Sequence, residues 1–359
     1  MSDAEDRIVG CLLGGAIGDA MGAGIEFMSL DEIRRRFGSA GVTGYTSAYG
    51  RKGAITDDTQ MTLFTADGLI RASIRGRSKG VCHTASVVRN AYRRWFVTQG
   101  GSVKEDDRDF VAGGWLIGVD ELHSHRAPGN TCMSAMRAGG NGTVSEPIND
   151  SKGCGGVMRA APAGFPECSD KERFAMGCDF AALTHGHADG YLPAGYLAVA
   201  VGALVDGQSM GRALDAADEQ LADADRSATT VRAVQAAREL GARGLPTPEQ
   251  LEGMGGGWVG EEALAIAVAC AVATTDFREG VLAAVNHSGD SDSTGSIAGN
   301  LLGAQGGVAV LPQDWLGELE LREVIEQVAR DAALELRGAA PSYDSGGATR
   351  EWFERYPGV

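Results

Sequence analysis

The 359-residue sequence predicts an all-α fold, and three observations lead to this prediction. Apolar residues recur at helical spacing over most of the chain, whereas alternating runs of β-branched residues are missing. Glycine is abundant, with 53 residues, and it recurs with alanine and serine inside the helical patterns. Because small residues let backbones approach closely, we interpret this composition as tight packing of helices rather than as disorder.

The length and the pattern predict one domain over residues 1–359, with a core at about 7–337 and a C-terminal surface strap at 338–359. The formal net charge of −16 argues against binding to nucleic-acid phosphates or to an anionic membrane surface. The apolar runs at 192–205 and 263–273 are too short to span a bilayer. Seven irregularly spaced cysteines without a signal-type leader predict reduced thiols, and we expect a cytoplasmic monomer.

The N-terminal segment predicts a helix at residues 8–19 that carries glycines on one side. The helix runs into a glycine-rich turn that holds Glu26, which is either a surface acid or a catalytic or metal-adjacent carboxylate. Ser29 and Glu32 have the spacing of a capping box, so a short helix follows to residue 37. Residues 38–53 show no periodicity and predict a mobile loop, whose position suggests a lid.

Two acidic turns at predicted helix starts are the strongest chemical signal in the chain. The first is Thr-Asp-Asp-Thr-Gln at 56–60, and the second is Gly-Asp-Ser-Asp-Ser-Thr-Gly at 289–295. A helix N-terminus favours negative charge, and one acid could serve as an N-cap. Two such turns facing each other would form an oxygen-lined pocket for two Mg²⁺ or Mn²⁺ ions. Their oxygen donors are Thr56, Asp57, Asp58, Asp290, Asp292 and Ser293.

Glycine turns in the middle of the chain offer bare backbone amides that can surround a phosphate, although many such turns bind nothing. They lie at residues 128–132 and 149–159, and Lys152 and Arg159 add donors to the second. Farther on, His185 and His187 lie close in sequence to Cys178, but this spacing matches no structural zinc site. A role in contacting a ligand is therefore favoured for His185.

The C-terminal half predicts mainly scaffold. Residues 208–243 are polar and helical by period, which is typical of a solvated outer helix pair. Trp258 follows three glycines and either stacks on a base or packs in the core, and core packing is favoured. A buried helix at 263–274 and an amphipathic helix at 318–336 complete the pattern.

Taken together, these motifs resemble the ADP-ribosylglycohydrolase family, which includes the dinitrogenase reductase-activating glycohydrolase and ADP-ribosylarginine hydrolase. The resemblance extends over residues 10–336, with the motifs in the same order. In chain order they are Gly-Asp-Ala and then a glutamate, Thr-Asp-Asp-Thr, Gly-Cys-Gly-Gly-Val-Met-Arg, Thr-His, and Gly-Asp-Ser-Asp-Ser-Thr-Gly.

The resemblance implies a compact orthogonal all-α bundle with a binuclear Mg²⁺ or Mn²⁺ site in a cleft. The six oxygen donors of the two acidic turns match the family's ligand groups, and the implied catalytic residues are Glu26, Asp58 and Asp292. At Lys152, some relatives place an aromatic residue instead. The residues implied to bind the substrate are Asn130, Ser151, Lys152, Gly153, Cys154, Gly155, Gly156 and His185.

The implied activity is hydrolysis of the bond between the ribose anomeric carbon and a protein side chain, with ADP-ribosylarginine favoured by likeness alone. The partner would be an ADP-ribosylated protein or a small molecule that contains ADP-ribose. One alternative is another ADP-ribose linkage, to serine, an acetyl group or a nucleobase. Another is a non-enzymatic role, as an immunity protein against a toxin or as a structural relative resembling jellyfish lens crystallin. The complete acidic set disfavours a purely structural role.

Overall fold

The computed structural model describes residues 2–104, 111, 113–338, 340–341 and 347–357. Within these ranges the chain forms sixteen α-helices and no strand, which confirms the predicted all-α class. The short helix after the first glycine-rich turn begins with the predicted capping box between Ser29 and Glu32. The helices are α1 (Asp3–Gly22), α2 (Leu30–Phe37), α3 (Asp57–Lys79), α4 (Thr84–Thr98), α5 (Asn130–Arg137), α6 (Asp170–Ala182), α7 (Ala188–Val205), α8 (Met210–Ala222), α9 (Ala228–Gly241), α10 (Pro248–Glu252), α11 (Gly260–Ala273), α12 (Phe277–Val285), α13 (Ser291–Gly306), α14 (Gln313–Glu318), α15 (Arg322–Arg337) and α16 (Gly347–Arg355).

The centre of the fold is a pair of helices, α1 and α13, whose backbones touch along a seam of glycines. A Cβ atom added to Gly18 would lie only 1.9 Å from the carbonyl oxygen of Gly295. A Cβ atom added to Gly14 would lie 2.4 Å from the carbonyl oxygen of Gly299. Only glycine fits such positions, so the glycines on one side of α1 allow the two helix backbones to come into contact. The seam places the end of α1 beside the start of α13.

Helix α7 passes through the core and is buried along its whole length. It is the one helix in the described ranges that is long and apolar enough to cross a membrane. The apolar run at 192–205 was expected to be too short for this, but the helix begins earlier, at Ala188. Complete burial among the other helices accounts for its apolar surface.

The outer helices follow the predicted amphipathic patterns. Helices α8 and α9 form the expected pair at residues 208–243, each with one buried face and one exposed face. Helix α15 confirms the amphipathic helix predicted at 318–336, and it begins at Arg322. Helix α8 packs on α7, α9 packs on α11, and α15 packs on α1.

The C-terminal segment is more than a surface strap in its described part. Helix α16 covers residues 347–355, and the side chains of Trp352 and Tyr356 are buried. The Tyr356 hydroxyl donates to Asp331 on α15 at an O···O distance of 2.7 Å. Residues 339, 342–346 and 358–359 of the predicted strap lie outside the described residues.

Residues 38–53 form an irregular loop that is attached to the second acidic turn. Asn286 accepts from the Val42 amide at 2.8 Å and donates to the Val42 carbonyl at 3.0 Å. A second attachment runs from the Glu320 amide to the Gly53 carbonyl at 2.9 Å. The lid function of this loop remains a prediction.

Candidate active site

The second acidic turn and the turn after α1 bring three carboxylates together. Asp290 precedes the first residue of α13, Asp292 lies in its first turn, and Glu26 follows α1. One carboxylate oxygen from each of the three residues lies within 4.8 Å of the other two. The contact between α1 and α13 therefore produces a cluster of acids from positions far apart in sequence.

The first acidic turn lines the same cleft from the start of α3. Thr56 is the N-cap of that helix, and its hydroxyl accepts from the Asp58 amide at 3.3 Å. Asp57 and Asp58 form its first turn, and both line the cleft together with Asp290, Asp292 and Ser293. The two turns thus face one cavity, whereas Thr56 itself is fully buried beside it.

The cleft has a volume of about 460 Å³, within the usual range for a site that binds a small molecule. Its walls come from both acidic turns, the loop before α5, the glycine turn and the segment before α11. The lining residues are Glu26, Phe27, Asp57, Asp58, His125, Ala127, Pro128, Gly129, Asn130, Thr131, Cys132, Gly153, Cys154, Gly155, Met158, His185, Trp258, Asp290, Asp292 and Ser293.

Burial and mutual repulsion dominate the electrostatics of the cleft. Burial, followed by the charge of Asp292, raises the pKa values of Asp57, Asp58 and Asp290 well above their usual range. The same two causes raise the pKa of Glu26 to about 11. Among the described lining residues there is no lysine or arginine to offset these charges.

This donor set fits a hard divalent cation. Oδ1 of Asp58 is buried and has no hydrogen-bond partner in the described structure. Buried carboxylates without a counter-charge are costly, and a cation would both pair with the free oxygen and remove the repulsion. Oxygen donors of this kind are the usual ligands of Mg²⁺ and Mn²⁺.

Asp19, which sequence reasoning did not single out, supports the first acidic turn. Its buried carboxylate accepts from the Thr56 amide at 3.0 Å, from the Thr59 amide at 3.1 Å and from the Thr59 hydroxyl. Burial and then the charge of Asp292 raise its pKa to about 7. The available signal was a single acid in the small-residue Gly-Asp-Ala motif of α1.

The glycine turn at 153–156 forms a second wall of the cleft. Gly153, Cys154 and Gly155 line it, as does Asn130 at the start of α5. A Cβ atom on Gly155 would lie 3.0 Å from His185, so glycine lets the turn pack against that ring. The Cys154 thiol donates to Oδ2 of Asp290 at 2.7 Å and joins this wall to the acids.

His185 lies in the cleft as a neutral imidazole. Burial, together with the nearby positive charge of Arg159, lowers its pKa to about 3. Its Nδ1 lies 2.8 Å from the Thr184 hydroxyl, which fixes the ring orientation. The ring can therefore contact a ligand without adding charge.

Several predicted substrate-binding residues lie beside the cleft rather than in its lining. Nζ of Lys152 lies 2.9 Å from Oε1 of Glu261. The Ser151 hydroxyl lies 3.1 Å from that of Thr131, and Gly156 is buried. Arg159, which was considered as a phosphate donor, is also buried and donates to Thr184 at 2.6 Å.

Two aromatic rings form the rim of the cleft. Phe27 and Trp258 stack with ring centroids 5.2 Å apart and an interplanar angle of 21°. The expectation that Trp258 packs in the core is wrong, because 42% of its surface is exposed. The glycines before it, two of which have positive φ, carry it outward to the cleft.

The fold and the site define an all-helical protein built around a buried acidic cleft suited to divalent cations. The ADP-ribosylglycohydrolase family model matches residues 1–342, and the chain belongs to this family. It is therefore related to hydrolases that act on ADP-ribosyl groups.

Individual relatives match over almost the whole chain. The ADP-ribosyl-[dinitrogen reductase] glycohydrolase of Rhodospirillum rubrum is 28% identical over 346 residues, covering 93% of this chain and 97% of that protein. The ADP-ribosylarginine hydrolase Tri1 of Pseudomonas putida is 28% identical over 344 residues, covering 95% and 80%. A solved ADP-ribosylglycohydrolase-related protein complex has a TM-score of 0.67 at 24% identity, covering 92% of this chain and 98% of that chain, and supports the fold.

Proposed function

We propose that this protein is a metal-dependent hydrolase that removes ADP-ribose from modified protein side chains, with ADP-ribosylarginine as its substrate. The observation that carries the proposal is the meeting of Glu26, Asp290 and Asp292 in a cleft that Asp57 and Asp58 also line. Family membership supports the hydrolase class, and relatives named for ADP-ribosylarginine and dinitrogen reductase support the substrate.

Two Mg²⁺ or Mn²⁺ ions would occupy the acidic end of the cleft. Bound there, they would supply positive charge that orients and polarises the ribose hydroxyls and a water molecule. In this proposal the ligands are Thr56, Asp57, Asp58, Asp290, Asp292 and Ser293.

The remaining residues bind the substrate and manage protons. Glu26 is half-buried beside Asp290 and Asp292, where its carboxyl group can deliver a proton to the leaving nitrogen as a general acid. The Gly155 amide of the glycine turn donates to the pyrophosphate oxygens, as amides of glycine-rich turns do in other phosphate sites. Neutral His185 supports that turn. We also propose that the enzyme works as a single-domain monomer in the cytoplasm.

The test is release of ADP-ribose from an arginine-modified protein, with and without EDTA. We expect release by the wild type with Mg²⁺ or Mn²⁺, and a loss of at least about 100-fold in Asp58→Asn and Asp290→Asn, since each removes a charge at the metals. Glu249→Gln removes an exposed surface carboxylate and serves as the matched control.

Release of ADP-ribose that survives both EDTA and the double substitution Asp58→Asn plus Asp290→Asn would contradict the mechanism. Release from serine or acetyl conjugates, but not from arginine, would replace the proposed substrate. Tight binding to a toxin without any turnover would favour an immunity role instead.

A further inference from the structure

The Phe27–Trp258 pair is costly to maintain. Phe27 is 68% exposed and has a φ of +68°, a backbone conformation that residues other than glycine rarely adopt. Trp258 is 42% exposed, so both rings leave apolar area in contact with water that burial would otherwise remove. A strained and exposed aromatic pair at a cleft points to a ligand contact rather than to a folding role.

The structure fixes the pair to both walls of the cleft. The Phe27 amide donates to the Gly289 carbonyl at 3.3 Å, next to the second acidic turn. The Trp258 carbonyl accepts from the Cys154 amide at 3.2 Å, in the glycine turn. The rings are therefore held at a defined position rather than on a free loop.

The surroundings of the pair favour a cation. Both rings line the same cleft as the three clustered carboxylates, and the Phe27 backbone bonds to Gly289, the residue directly before Asp290. The described lining contains no lysine or arginine that would repel a positive ligand. Aromatic faces attract cations, and planar guanidinium groups also stack on them.

We propose that Phe27 and Trp258 select the leaving group by stacking on an alkylguanidinium cation. This inference rests on the proposed function and assigns the linkage specificity to two residues that the metal chemistry does not use. A protonated guanidinium gains attraction from the ring faces and the carboxylates, whereas a neutral leaving group of the same shape gains only apolar contact. The pair thus favours arginine conjugates over serine or acetyl conjugates.

The test measures binding to the protein loaded with ADP-ribose and Mn²⁺ by calorimetry. Three probes are used. Agmatine is a cationic alkylguanidine, and acetylation of its amine leaves the guanidinium as its only charge. The neutral match to acetylated agmatine is N-carbamoylputrescine with its amine acetylated, which carries a ureido group in place of the guanidinium. We expect Trp258→Leu to weaken binding of the guanidinium probes about tenfold, equivalent to about 1.4 kcal/mol, and that of the ureido probe less than about threefold.

Trp258→Phe keeps an aromatic face and should retain most of the guanidinium preference. Leu245→Ala is the control, at an exposed apolar position away from the cleft lining. It should leave the affinity for every probe unchanged. Affinity for ADP-ribose alone should change less than about threefold in Trp258→Leu.

An equal loss for the guanidinium and ureido probes would overturn the inference, as would a wild type that does not bind agmatine. A tenfold loss of ADP-ribose affinity would also overturn it, because the rings would then contact the nucleotide. If the wild type prefers guanidinium probes but does not cleave ADP-ribosylarginine, the proposed reaction fails while the cation subsite stands.

Discussion

At the scale of single residues, the direction of one side chain decides its role. Lys152 adjoins Gly153, which lines the cleft, yet its ammonium group pairs with Glu261 on α11. In contrast, Asp58 points a buried and unpartnered oxygen into a group of other acids. Proximity in sequence to a motif is therefore not sufficient for a place in the site.

Lys152→Met should leave ADP-ribose affinity within about threefold of the wild type, because the ammonium group binds Glu261 and not the cleft. The lost ion pair should cost at most about 1 kcal/mol of stability, since 47% of the lysine side chain is exposed. Calorimetric titration with ADP-ribose measures the first effect, and urea unfolding measures the second. Asn130→Ala, at a position in the cleft lining, is the contrast and should weaken binding. A tenfold loss in Lys152→Met would show that the lysine contacts the nucleotide.

At the scale of elements, the seam between α1 and α13 positions the acids. Their backbones touch through paired glycines, so the start of α13 lies directly beside the end of α1. Any increase in the distance between these helices would separate Glu26 from Asp290 and Asp292. Helix packing and the geometry of the acidic cluster are therefore coupled through one interface.

Gly18→Ala should destabilise the protein by about 3 kcal/mol, because the new methyl group would lie 1.9 Å from the Gly295 carbonyl oxygen. The same change should weaken the stabilisation by Mn²⁺, since the helices must separate. Gly211→Ala is the matched control on α8, where a new methyl group meets nothing within 4 Å, and it should change stability by no more than about 1 kcal/mol. Urea unfolding with and without Mn²⁺ measures both effects. Equal stability of the two variants would contradict backbone contact along the seam.

At the scale of the whole molecule, the buried carboxylates of the cleft lower the stability of the metal-free folded protein. Five carboxylates have raised pKa values in the folded state, among them Asp19 at about 7. Their common cause is burial, to which the charge of Asp292 adds. Bound cations would remove this penalty, and metal binding would then be linked to folding.

The free energy of unfolding of the EDTA-treated protein should fall as pH rises from 6.5 to 8. In this window the carboxyl groups of the unfolded chain have released their protons, whereas the folded cleft retains some of them because its pKa values are raised. The folded state therefore binds more protons than the unfolded state, and it loses stability as the pH rises. Each retained proton contributes about 1.4 kcal/mol per pH unit. His185, whose lowered pKa has the opposite effect, acts only below about pH 6.5. Urea unfolding at several pH values measures the slope.

Two further measurements complete this test. Mn²⁺ at 100 times its dissociation constant should add about 2.7 kcal/mol of stability at pH 8. Asp292→Asn should flatten the pH dependence and lose the stabilisation by Mn²⁺, since Asp292 contributes to the raised pKa of each neighbour. A metal-free stability that rises over this pH range would contradict the proposed origin of the pKa shifts.

The helices and the acidic turns at their starts could be predicted from the amino-acid sequence. Apolar periodicity and local caps, such as Ser29 with Glu32, act over a few residues and leave a direct trace in the chain. The two acidic turns were also visible, because hydroxyl and carboxyl groups cluster at helix starts. We predicted that the two turns meet because facing each other would let them bind the same pair of cations.

Which side chains face the cleft is set by the packing of the helices and could not be read from the sequence. Asp19 supports the first acidic turn, Lys152 turns aside and Trp258 leaves the core, and none of these outcomes follows from neighbouring residues. Each depends on a contact between segments that are distant in sequence: Asp19 and Thr56 are 37 residues apart, and Lys152 and Glu261 are 109 residues apart. Trp258 stacks on Phe27 near the other end of the chain. Burial and pairing across such separations are set by helix packing, whereas local sequence encodes only the backbone conformation of each segment.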